Sequence, residues 1–90
     1  MNKNIDVNYI KSEFAKVNNY FISKNFKKVI EKTLLLLKKD PYQIVFYNYI
    51  GLSYRQLGQY QNSENIFKKG LKIFPRSMTI LTNLGSLYRQ

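Results

Sequence analysis

The tightest constraint on this chain is a spacing. The stretch "IGLSYRQ" (Ile50–Gln56) returns as "LGSLYRQ" (Leu84–Gln90), so Gly51, Tyr54, Arg55 and Gln56 each meet the same residue 34 positions on. Pro41 and Pro75 keep the same interval, as do Tyr20, Tyr54 and Tyr88, and the aromatic pair Phe26 and Tyr60. One interval shared by residues of unrelated chemistry marks an internal repeat. A period of this size means stacked supersecondary units, each too small to bury its apolar face alone.

Inside the period the apolar spacing is helical. Tyr47, Ile50, Gly51, Tyr54 and Leu57 follow i, i+3, i+4, i+7 along one face. Gly58 supplies a left-handed stop. A second periodic stretch holds Ile66, Phe67, Gly70, Leu71 and Phe74, and Pro75 ends it by disfavouring helix in the residue before it. Ser77 is placed to cap the next helix. The first period reads likewise: a helix from about Asn8 to Ile22, a turn over Ser23–Asn25, and a helix from Phe26 to about Lys39 that stops at Asp40-Pro41. In that turn Asn25 is the residue best suited to a positive φ. The expected fold is all-α: five helices in a hairpin array.

The segment "YNYIGLSYRQLGQYQNSENIFKKGLKIFP" resembles a tetratricopeptide repeat. The resemblance rests on Tyr47, the pair Ile50-Gly51, Tyr54 and the turn glycine Gly58, then Ser63, Phe67 and Gly70, and the closing Pro75. It covers residues 44–77, and residues 78–90 as a first helix alone. Residues 10–43 fit more loosely, with Val17 in the glycine slot, Thr33 in the aromatic slot and Lys39 in an apolar one; residues 1–9 are a lead-in. The resemblance implies a right-handed superhelix in which first helices line a concave groove and second helices form the back. It implies a protein-interaction scaffold that takes a peptide or protein partner and needs no cofactor.

On that template the groove receives Asn18 and Phe21, then Asn48, Leu52, Arg55 and Gln56, then Thr82, Ser86, Arg89 and Gln90. Such amides and hydroxyls can bond a peptide main chain, and the recurring Arg55 and Arg89 suit carboxylates. Some tetratricopeptide domains clamp the acidic C-terminal tail of heat-shock chaperones through lysine, arginine and asparagine slots. Those slots fall on Phe14, Asn18, Tyr49, Thr79 and Asn83; only Asn18 matches in kind, so that ligand is disfavoured.

The 90 residues carry 15 Lys and Arg against 5 Asp and Glu, a net charge of +10. Nine basic and four acidic residues precede Ile44, and six and one follow, so no basic tail is set apart. Lys27, Lys28, Lys32, Lys38, Lys39, Lys68, Lys69 and Lys72 fall on the second helices. A basic back is the feature that would meet nucleic acid or an anionic membrane. It lacks interleaved aromatics for base stacking, and a solvated helix face is the favoured reading. Without cysteine or histidine there is no disulfide, no thiolate ligand and no imidazole base. The five carboxylates are scattered, so no enzyme chemistry, metal or cofactor is expected. No secretory signal or membrane span stands out, which makes the cytoplasm the default compartment.

The last stretch begins a third unit without its second helix. Leu81, Leu84 and Tyr88 are expected to form an uncovered apolar stripe, either because the chain is part of a longer solenoid or because the stripe is an assembly surface, most simply of a homodimer. Arrays of this kind also precede glycosyltransferase or sulfotransferase domains, a fold-level analogy that offers a further alternative.

Overall fold

The computed structural model describes residues 7–89. They form α1 (Val7–Ile22), α2 (Phe26–Lys39), α3 (Ile44–Gln56), α4 (Tyr60–Ile73) and α5 (Met78–Tyr88), with no strand among the described residues. α1 begins at Val7, one residue before the expected start at about Asn8; residues 1–6 and Gln90 lie outside the described residues.

The turns show how literally the repeat is built. Gly58 takes φ 76°, as a helix stop requires. In the first turn the positive φ falls on Lys24 (63°), not on Asn25. Asn25 instead sits at φ −88° and caps α2, its side-chain oxygen accepting from the Lys28 N–H at 3.4 Å. The interval explains the correction, because 34 positions before Gly58 is Lys24. The hydrogen bonds match as well. Asn25 N–H donates to the Tyr20 carbonyl and Gln59 N–H to the Tyr54 carbonyl, both at 2.8 Å. Lys24 and Gly58 N–H groups donate to the Phe21 and Arg55 carbonyls, both at 3.0 Å. A lysine here accepts roughly 1–2 kcal/mol of backbone strain to preserve the turn.

At the other corners, Asp40 N–H closes α2 on the Leu36 carbonyl at 2.9 Å, and Phe74 N–H closes α4 on Gly70 at 2.8 Å. Pro41 and Pro75 follow, so neither helix can run on. Ser77 caps α5, accepting from the Ile80 N–H at 3.2 Å.

Each helix packs on the next, and α5 also packs back on α3. The odd-numbered helices make one layer and α2 and α4 back onto it, in a body of 43 × 30 × 17 Å. Val17, Val29, Thr33, Phe46, Tyr47, Ile50, Phe67 and Ile80 are buried at its centre. Burial raises the pKa of the Tyr47 phenol, whose hydroxyl donates to the Pro41 carbonyl at 2.7 Å.

Two helix contacts repeat with their volumes exchanged. In the α3–α4 hairpin the Phe67 ring lies on bare backbone: a Cβ on Gly51 would stand 2.4 Å from it. Beside it the Ser63 hydroxyl donates to the Gly51 carbonyl at 2.7 Å. In the α1–α2 hairpin the equivalent positions are Val17 and Thr33, both buried. The first helix gained bulk where the second lost it, which keeps the interior filled.

Gly51→Val should therefore destabilise by about 1–3 kcal/mol, and Phe67→Thr by about 3–5 kcal/mol. The double variant, copying Val17 with Thr33, should cost clearly less than the two effects added; urea denaturation of the four proteins measures the coupling. Thr33 Oγ1 has no hydrogen-bond partner among the described residues. Thr33→Val should raise stability by about 1 kcal/mol in the same assay.

Candidate functional site

Where α1 and α3 lie side by side, rings bridge them. Phe14 stands 5.0 Å from Tyr49 and 5.6 Å from Phe46, and Phe21 stacks on Tyr49 at 4.5 Å. Phe21 also meets Phe26 edge-on at 5.7 Å. The Tyr49 hydroxyl donates to Asn18 Oδ1 at 2.6 Å, fixing the ring. Such aromatic contacts contribute about 0.5–1.5 kcal/mol each beyond their buried area.

Next to these rings a cleft of about 600 Å³ opens between α1, the α2–α3 corner and the first turns of α3. Its apolar lining comes from Val7, Ile10, Phe14, Ala15, Val45 and Phe46. Lys11, Asn18, Asp40 and Gln43 supply its polar groups. Asp40 is buried and braces the corner: Oδ1 accepts from the Tyr42 N–H at 3.2 Å and Oδ2 from Gln43 Nε2 at 2.7 Å. Its charge is thus held by donors belonging to the loop itself. Asn18 has its carbonyl committed to Tyr49, while its Nδ2 donates to no group among the described residues and remains available to a ligand.

The expected groove residues separate into distinct environments. Asn48 is buried, with Oδ1 accepting from Asn83 Nδ2 at 2.7 Å and Nδ2 reaching the Ile44 carbonyl at 3.4 Å. It ties α3 to α5 rather than facing a ligand, because these two helices pack directly and close over it. Leu52 packs against the core. Arg55 and Ser86 are half-buried, whereas Gln56, Thr82 and Arg89 are exposed. Arg55 lies in the last turn of α3 and Arg89 in the C-cap of α5, so the matched arginines occupy unlike surroundings.

The cleft itself, Asn18 apart, was absent from those expectations. A signal existed: Lys11, Phe14, Ala15 and Asn18 follow i, i+3, i+4, i+7 on α1. What the spacing could not reveal is that Val45 and Phe46 stand opposite, since that depends on how α2 returns the chain.

On the other layer, Lys27, Lys28, Lys38, Lys39, Lys68, Lys69 and Lys72 are exposed. Lys28 lies 3.8 Å from Glu31, Lys68 3.3 Å from Glu64, and Lys39 is 5.5 Å from the centre of the Tyr9 ring. Among the described residues no group of three His, Cys, Asp or Glu gathers where an ion could sit, and no helix is long and apolar enough to cross a membrane. The cleft thus sets an apolar wall of Phe14, Val45 and Phe46 beside the polar groups of Asn18 and Gln43, with Lys11 also in its lining.

No family model matches the chain, and no curated protein matches it.

If Asn48 is an interhelical tie, Asn48→Ala should lower stability by about 1–3 kcal/mol, leaving Asn83 without its acceptor. Gln56→Ala and Thr82→Ala, on exposed positions, should stay within about 0.5 kcal/mol; thermal melts compare the three.

Proposed function

We propose that this chain is a tetratricopeptide-like interaction scaffold that binds a short segment of a partner protein in the cleft between α1 and α3. The observation that carries the reading is the cleft itself, apolar along Phe14, Val45 and Phe46 and edged by Asn18 and Gln43. Peptide sites combine such a wall with a few polar groups that fix orientation. An apolar anchor side chain of the partner enters beside Phe14, and Asn18 Nδ2 donates to a main-chain carbonyl. Because rings and the Tyr49–Asn18 bond already hold the cleft open, little ordering cost falls on the receptor. The net charge of +10 favours a partner with acidic flanks and speeds its encounter at low salt.

Two of the slot positions of the chaperone clamp support the same reading. Phe14 and Tyr49 make those positions aromatic, which suits an apolar anchor better than a terminal carboxylate.

Selection of displayed peptides against the chain, followed by amide chemical-shift mapping, tests the proposal. The recovered peptides should share an apolar anchor and shift α1 and the first turns of α3. Ala15→Gln, an exposed substitution that intrudes on the cleft, should weaken them by about tenfold without lowering the melting temperature. Shifts confined to the lysines of α2 and α4, with affinity falling steeply in salt, would instead favour an anionic-surface binder.

A further inference from the structure

Leu84, expected in an uncovered stripe with Leu81 and Tyr88, is instead buried in the core together with Leu87. A well exposed leucine stands on α2. Leu35 is 52% exposed, although the adjoining Leu36 and Leu37 are buried. The helix period explains the contrast. Val29, Thr33, Leu36 and Leu37 face the core, so Leu35 turns away from it with Lys28, Glu31 and Lys38. On α4 the core face is Ser63, Ile66, Phe67 and Gly70. Its outer face carries Lys68, Lys69 and Lys72, all exposed, with Lys69 the equivalent of Leu35 and Lys72 of Lys38.

Charge on this layer is mostly of one sign. Residues 24–40 and 60–76, which hold α2, α4 and their corners, carry ten Lys and Arg against three Asp and Glu. The carboxylates offset them little. Asp40 is buried at the corner. Glu64 is half-buried and taken up by the Tyr88 hydroxyl at 2.5 Å and by Lys68 at 3.3 Å. Of the three only Glu31 is exposed, 3.8 Å from Lys28.

We propose that the outer face of α2 and α4 rests on an anionic lipid bilayer, its lysines meeting the headgroups and Leu35 entering below them. Charge complementarity carries the proposal. A bilayer is an extended anionic plane, and two helices related by the repeat present an extended row of cations to it. Leu35 decides between anionic partners. A nucleic acid offers phosphates to the lysines and bases to aromatic rings, but nothing for an aliphatic side chain set among lysines to enter. A bilayer takes such a side chain at its acyl boundary, and the apolar lysine stems can lie there with their ammonium groups outward. The contact is peripheral, because no helix among the described residues is long and apolar enough to cross. None of these lysines lines the α1–α3 cleft, so both sites can be filled at once. The proposal does not rest on the reading of that cleft.

Co-sedimentation of the 90-residue chain with vesicles tests the proposal. Vesicles of mixed phosphatidylserine and phosphatidylcholine should carry it down, pure phosphatidylcholine should not, and added salt should release it. Lys38→Gln with Lys72→Gln should weaken binding by about tenfold or more. Gln56→Glu with Thr82→Glu makes the same change of net charge at exposed positions of the other layer, and should weaken it by no more than about threefold. The chain has no tryptophan, so Leu35→Trp supplies a single reporter. Its emission should shift to the blue on the mixed vesicles and stay unshifted with a single-stranded RNA. Leu35→Gln should weaken vesicle binding by about fivefold without lowering the melting temperature. An unshifted tryptophan on the vesicles, binding indifferent to the Lys38 and Lys72 changes, or tighter binding to the RNA than to the vesicles would overturn the proposal.

Discussion

The fold turns on the contact between the Phe67 ring and the backbone of Gly51. A ring seated where no side chain exists lets α4 approach the bare backbone of α3, since a Cβ on Gly51 would stand 2.4 Å from the Phe67 ring. That approach puts the Ser63 hydroxyl on the Gly51 carbonyl and lets Gly70 admit Tyr47, so one missing Cβ organises the whole second hairpin. The buried area follows from this approach, because dispersion and apolar burial both fall away steeply once a gap opens.

The first hairpin reaches an equivalent packing with other residues, and the exchange of Gly51 and Phe67 for Val17 and Thr33 has consequences beyond its own helices. α3 and α5 pack directly, and the Asn48–Asn83 bond is enclosed between them. α1 instead meets α3 across the rings of Phe14, Phe21 and Tyr49. Rings fill width without closing every gap at their margins, and the cleft lies at one such margin. The same array thus has a sealed junction at one end and an open one at the other. Eight of the fifteen basic residues lie on α2 and α4, and none of those eight lines the cleft.

Much of this was legible residue by residue. The interval of 34, the prolines at the corners, Gly58 as a stop and Ser77 as a cap led to helix limits within a residue or two of those observed. These are local effects, set by backbone sterics and by hydrogen bonds a few residues long. Where reading failed, a nonlocal term had entered. Asn25 was expected to take the left-handed turn because its own propensity favours it, yet the register of the repeat placed that conformation on Lys24. Asn48 reads as a surface amide until α5 closes over it. Leu84 reads as part of an uncovered stripe until its helix is rotated onto the core.

By itself, then, the sequence determined the number of helices, their ends and their pairing into hairpins, because period, glycine, proline and capping residues act within a single turn or a single unit. Only the tertiary structure decided which polar side chains were spent between helices and which stayed available. It also decided that Lys11, Phe14, Ala15 and Asn18 face Val45 and Phe46 across a cleft. Those outcomes depend on how far apart neighbouring helices stand, a distance set by pairs of side chains some 30 residues apart and invisible to the spacing of either helix alone.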